Sequence, residues 1–211
     1  LGGSWSVAGA DLSCILGGMN HVTGAINSTI SGGHSNSTMG SYASVSGGYR
    51  NSATGESSSI SGGDSNVASG NWSSVSGGSE NTASGNYCSV SGGGENTASN
   101  LNDSVSGGRE NIASGGYSSV SAGGLNKALS GYSSVCGGGA NTADGTYATV
   151  SGGDGNTASA YSASVSGGIS NTASGTNATV SGGGLNIASG LGSTVGGDYN
   201  RTANVNYQFL P

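Results

Sequence analysis

Few residues in this chain could do chemistry. Histidine occurs only at His21 and His34, both near the start. Serine is abundant, but a nucleophilic serine needs a base and an orienting carboxylate beside it, and no spacing here assembles such a trio. Paired glycines recur along the chain, yet no Gly-Lys-Ser/Thr follows them, so they do not read as a phosphate-binding loop. Asp64, Glu80, Glu95 and Asp154 are scattered, whereas calcium-binding β-rolls repeat Gly and Asp about every nine residues. Cys14, Cys88 and Cys136 lack zinc-ligand spacing. Sequons begin at Asn27, Asn36, Asn71, Asn102, Asn177 and Asn200, as expected by chance in a chain rich in Asn, Ser and Thr. The chain therefore reads as a non-enzyme, with no catalytic residue, no metal site and no cofactor.

Composition narrows the classes further. Of 211 residues 45 are Gly, only 7% are charged, and the net charge is −6 with four basic residues. A nucleic-acid binder needs a basic stripe, which is missing, and no apolar run is long enough to span a membrane. No Gly-X-Y period exists, which excludes collagen. Residue 1 is Leu, and the chain reads as a processed piece of something longer.

Order within the sequence decides between a flexible linker and a repeat fold. Ile15, Ile30, Val45, Ile60, Val75, Val90, Val105, Val120, Val135, Val150, Val165, Val180 and Val195 fall at a constant spacing of 15. Asn51, Asn66, Asn81, Asn96, Asn111, Asn126, Asn141, Asn156, Asn171 and Asn186 keep the same interval, as do alanines from Ala53 to Ala188. The unit is roughly S-S-V-S-G-G-x-x-N-T-A-S-G-x-Y. Both Ser-Val-Ser and Asn-Thr-Ala-Ser alternate with period two, the signature of a strand, so Val and Ala point one way and their hydroxyl neighbours the other. The Gly positions between segments suit corners with positive φ; Asn100 is tolerated at one such corner, and Ala160 breaks the rule. The reading is an all-β, single parallel β-solenoid (β-roll) of about fourteen 15-residue coils over residues 1–204, with 205–211 as a cap or the start of another region. Coils about 4.8 Å apart give a rod roughly 65 Å long and keep the three cysteines too distant to pair. Near the start, Asn20-His21-Val22-Thr23-Gly24 sits one place early.

Four residue sets follow from this register. The first hydroxyl face holds Ser44, Ser46, Ser59, Ser61, Ser74, Ser76, Ser89, Ser91, Ser119, Ser121, Thr149, Ser151, Thr179 and Ser181. The second holds Thr82, Ser84, Thr97, Ser99, Thr142, Thr157, Ser159, Thr172 and Ser174, interrupted by Ile112, Lys127 and Ile187. Tyr42, Trp72, Tyr87, Tyr117, Tyr132 and Tyr147 share one repeat position and form an aromatic stripe. It packs a corner or, alternatively, binds a sugar or partner. The ten asparagines above stack as a structural amide ladder.

The unit V-S-G-G-x-x-N-x-A-x-G resembles the head repeat of trimeric autotransporter adhesins, from about Ile15 to Val195. It differs in having Gly at the family's Ile position, Asn at its Ser position and one residue more. Asn20-His21-Val22-Thr23-Gly24 and Asn27-Ser28-Thr29-Ile30-Ser31-Gly32 are similar to coils of grass ice-binding proteins. The first resemblance implies a left-handed roll, three chains together, on a cell or virion surface, with a host-surface, matrix or glycan ligand. The second implies ice binding by one flat Ser/Thr face. A core of one Val and one Ala per coil is thin against a backbone ordering cost of roughly 1–2 kcal/mol per residue, which favours assembly into a homotrimer. The expected function is an extracellular structural or adhesive rod, with ice binding as the alternative.

Overall fold

In the computed structural model, which describes residues 5–211, the chain is all-β without a helix. It forms fourteen coils of 15 residues, and each coil contributes two strands of two residues. Two compact units divide it, Leu1–Gly107 and Gly108–Pro211.

In the first unit the Val-type strands run from Cys14–Ile15 to Ser104–Val105, and the Ala-type strands from Val7–Ala8 to Thr97–Ala98. Each set forms a parallel sheet with a register of exactly one repeat: Ser74 pairs with Ser89, and Thr82 with Thr97. The second unit repeats this from Ser119–Val120 to Phe209–Leu210 and from Ile112–Ala113 to Thr202–Ala203. Past Val205 the sequence leaves its pattern, yet Phe209 and Leu210 still pair with Thr194 and Val195. A third line of single-residue bridges links the coils through Met19, His34, Tyr49, Asp64 and Ser79, and in the second unit through Gly124, Gly139, Asp154 and Ile169.

The alternation places Val and Ala inward, as the period of two requires. Val120, Val150, Ala113 and Ala143 are buried. The interior is wider than one Val and one Ala, however. The residue two places before each Val also faces inward: Ser28, Ala43, Ser58, Ser73, Cys88, Asp103, Ala148 and Ser193 are all buried. The ladder asparagines complete it.

Their geometry corrects the idea of an amide-to-amide ladder. Asn141 accepts the backbone N–H of Asn156 at 2.9 Å and donates from Nδ2 to the carbonyls of Gly137 and Gly153, both at 2.9 Å. The same three bonds recur at Asn51 and Asn66. Side chain meets backbone, and each buried amide is satisfied, which a dry interior demands. Only a few side chain to side chain contacts, such as Asn156 Nδ2 to Asn141 Oδ1 at 3.2 Å, accompany them.

Three left-handed positions turn each coil. In the coil after Val45 they are Gly48 at φ 89°, Arg50 at 52° and Ser57 at 54°. Only the first is routinely glycine. The third, where Ser57 stands, is the Tyr position of other coils, with Tyr132 at φ 58°, a conformation uncommon for bulky residues. The other corner glycines are constrained differently. Gly70 has no positive φ, but a Cβ there would fall on the carbonyl carbon and oxygen of Gly85 in the next coil. Close approach of backbones, not φ, favours glycine at that corner, although Asn100, Ser130 and Ala160 stand at the same place in other coils. Near the start, the sequence register is also corrected. Val22 pairs with Ser37 and Thr23 with Thr38, so His21 occupies the ladder place and Asn20 a left-handed corner at φ 59°.

Candidate functional site

The first hydroxyl face is the outer side of the Val-strand sheets. In the first unit Ser44, Ser59, Ser74 and Ser89 lie in register and half-buried, while Ser46, Ser61, Ser76 and Ser91 stand exposed beside them. Their backbone groups are committed to the sheet: Ser44 N–H donates to Ser58 O at 3.0 Å and Ser46 N–H to Ile60 O at 2.9 Å. In the second unit Ser119, Thr149 and Thr179 form the inner row, with Ser121, Ser151 and Ser181 outside it. Ser134 and Ser164 fill the inner row and Cys136 takes one place in the outer row, exposed. No charged residue interrupts these rows between Thr29 and Thr194.

The second face, on the Ala-strand sheets, is less uniform. Thr82 and Thr97 are adjacent in the first unit, flanked by Ser84 and Ser99, with Val67 before them. In the second unit Thr142, Thr157 and Thr172 are in register, with Ser159 and Ser174 exposed. Lys127 stands exposed between Ile112 and Thr142, and Asp144 lies beside it in the next coil's exposed row.

The aromatic stripe forms two separate stacks. Trp72 lies on Tyr87 with centroids 5.0 Å apart and planes at 8°. Tyr117, Tyr132 and Tyr147 stack at 5.1 and 5.0 Å, and Tyr161 meets Tyr147 edge-on at 5.6 Å. Tyr42 is separated from Trp72 by Ser57. Stacked rings cover one another's faces and leave edges to solvent. A sugar packs on a ring face, so within the three-tyrosine stack the arrangement supports corner packing over a sugar stripe.

No protein-family model matches the chain, and no curated protein matches it.

Charge gathers on the third line. Arg50 lies 4.7 Å from the centre of the Tyr49 ring, which also stacks on His34 at 5.3 Å. Asp64, Glu80, Glu95 and Asp154 fall along it, and Arg109 pairs with Glu110 at 3.2 Å. Among the described residues no group of three or more His, Cys, Asp and Glu could hold a metal ion. An apolar recess of about 390 Å³ lies between Ile169, Leu185 and Tyr199, floored by Gly183 and Gly184.

Two interior groups escaped the sequence reading. Cys88 is buried and its Sγ donates to Asn100 O at 2.7 Å. Burial pushes its thiol above the usual range; the Asp103 carboxylate adds to the rise, while backbone hydrogen bonds oppose it. Asp103 itself is buried, and accepts the Asn100 N–H at 2.8 Å. The signal for this inward row was present: small residues recur at Ala43, Cys88, Ala148, Ala163 and Ala178.

Proposed function

We propose that the chain is a structural and adhesive module of an extracellular fibre or surface head, acting through its first hydroxyl face. The observation that carries this reading is the uncharged double row of hydroxyls from Ser44/Ser46 to Ser89/Ser91, repeated from Ser119/Ser121 to Thr179/Ser181 with Cys136 as its one substitute. A single serine contact is weak, but a registered array engages a repetitive surface many times over, so that affinity comes from avidity. The neutral face and the net charge of −6 disfavour polyanions and favour a neutral matrix or glycan ligand. Because each coil fills its interior with its own residues, an oligomer would bury outer faces instead of sharing a core. Three copies are the assembly that the adhesin resemblance supports, outside the cell.

Light scattering tests the assembly: the expected mass is about three times 19.9 kDa, and a concentration-independent monomer overturns the trimer. Co-sedimentation with insoluble chitin and cellulose tests the face. Binding should be lost on changing Ser74, Ser89 and Ser119 to Lys. Binding that survives these changes assigns it to another surface.

A second reading is ice binding, favoured by the absence of charge from the same face. Thermal hysteresis that disappears with the three Lys substitutions would establish it and displace adhesion. The second face is the weaker candidate, since Lys127 breaks it. Changing Thr97, Thr142 and Thr157 to Lys should leave any hysteresis intact.

A further inference from the structure

We propose that the corner at Ser57 is a binding slot for a guanidinium group, the arginine side chain of a partner protein, held between Tyr42 and Trp72. These three residues share the repeat position of the aromatic stripe and its left-handed backbone: φ is 61° at Tyr42, 54° at Ser57 and 55° at Trp72. Backbone hydrogen bonds lock them in register. Ser57 N–H donates to Ser41 O and Trp72 N–H to Glu56 O, both at 2.8 Å, and Tyr42 N–H donates to Ile26 O at 3.0 Å. Tyr42 and Trp72 are exposed and Ser57 is half-buried. Where the stripe is complete, rings fill successive coils: Tyr132 stacks on Tyr117 at 5.1 Å and on Tyr147 at 5.0 Å. Ser57 has only a hydroxymethyl group where Tyr132 has its ring. Tyr42 and Trp72 therefore stand two coils apart, about 10 Å by the strand spacing. Tyr87 covers the far side of Trp72, but no ring among the described residues stacks on the side of Tyr42 or Trp72 that faces Ser57. One flat group inserted over Ser57 would meet both, as Tyr132 meets its two neighbours.

The chemistry of the slot selects a planar cation. The faces of Trp and Tyr rings attract positive charge. Glu56, next to Ser57 in the chain, is exposed, and its carboxylate has no hydrogen-bond or ion-pair partner among the described residues. Its backbone is fixed, because Glu56 N–H donates to Asn71 Oδ1 at 3.0 Å. A guanidinium is flat enough to lie between two rings and carries its donors on its edge, where a carboxylate accepts two of them at once. An ammonium lacks the plane, and a neutral sugar leaves the carboxylate without a counter-charge. The chain already shows the ring contact once, since Arg50 lies over the Tyr49 ring at 4.7 Å. Its remaining arginines are engaged, Arg109 with Glu110 at 3.2 Å and Arg201 with Asp198 at 3.5 Å. The net charge of −6 draws a basic partner, not a second copy of this chain. This corner lies outside the hydroxyl rows, so its occupant does not depend on what they bind.

The probe is the capped peptide acetyl-Gly-Arg-Gly-amide, titrated into the full chain carrying Trp5→Phe, which leaves Trp72 as its one tryptophan. The peptide should change Trp72 fluorescence saturably, with a dissociation constant on the order of millimolar. The same peptide with lysine in place of arginine, and methyl glucoside, should each bind at least about tenfold more weakly. Glu56→Gln should weaken binding of the arginine peptide by up to about fivefold. Ser57→Tyr fills the slot with the chain's own ring, a residue that Tyr132 shows to fit this backbone. It should abolish the response and keep the melting temperature. No saturable response to the arginine peptide overturns the inference. So does a response that survives Ser57→Tyr in the folded chain, or equal binding of the lysine peptide or of methyl glucoside.

Discussion

Replacing Asn141 with Ala removes one ladder amide from the middle of the second unit. Three bonds go at once. The Asn156 N–H loses its acceptor at 2.9 Å, and Gly137 and Gly153 each lose a donor at 2.9 Å. Gly153 O keeps the Gly139 N–H, also at 2.9 Å. An orphaned buried N–H costs about 2 kcal/mol and each weakened carbonyl about 1 kcal/mol, so the loss should be about 4 kcal/mol. Guanidinium unfolding followed by far-UV circular dichroism measures it, with Thr142→Ala on the outer side of the next position as the control. The control should change stability by no more than about 0.5 kcal/mol. Because each coil couples only to its neighbours, the substitution should also lower the m-value as the unit begins to unfold in two steps. If Asn141→Ala falls within about 1 kcal/mol of the control with m unchanged, the asparagines do not hold the coils together as argued.

Other outcomes follow from the same geometry. Gly70→Ala should destabilise the first unit, since its Cβ lands on the Gly85 backbone, while Gly62→Ala, with open space around the same atom and no positive φ, should be close to neutral by thermal melting. Tyr132→Ala removes two stacks, at 5.1 and 5.0 Å, and should cost about 1–3 kcal/mol; Tyr132→Gly should recover about 1 kcal/mol of that by relieving the left-handed backbone. A thiol reagent at neutral pH should label the exposed Cys14 and Cys136 quickly and Cys88 only after unfolding, because burial both shields that thiol and suppresses its thiolate.

The coil was legible in the sequence because one property, spacing, was enforced at three residues simultaneously. Val, Ala and Asn recur together since each contacts its own copy in the next coil, and a slip of one residue would turn every side chain over. The outward placement of Ser44 and Thr97 followed from period two alone. What the sequence concealed was anything depending on partners instead of pattern. Asn141 looked like a member of a side-chain stack because its backbone partners are two glycines with no signature of their own. Gly70 and Gly48 both read as corner residues, but Gly70 is held by the Gly85 backbone alone, whereas Gly48 is held by a positive φ and by the Gly63 carbonyl together. His21 read as a register slip because Asn20 beside it matched the expected letter. Which outer face meets a partner depends on that partner's chemistry, and serine rows leave several chemistries open.

The left-handed corners have a consequence for how such a chain changes length. Gly48, Arg50 and Ser57 return the backbone to its starting column after one coil, and Asn51 reaches forward only as far as the next coil, to Gly63 and Asn66. Adding or deleting one residue would misplace every corner downstream. Duplicating a whole coil disturbs none, because the new copy offers the same lone pairs and N–H groups at both of its surfaces. A chain of this kind can therefore lengthen or shorten in steps of one complete repeat. Coil number becomes a heritable variable that selection can tune without altering the face that each coil presents.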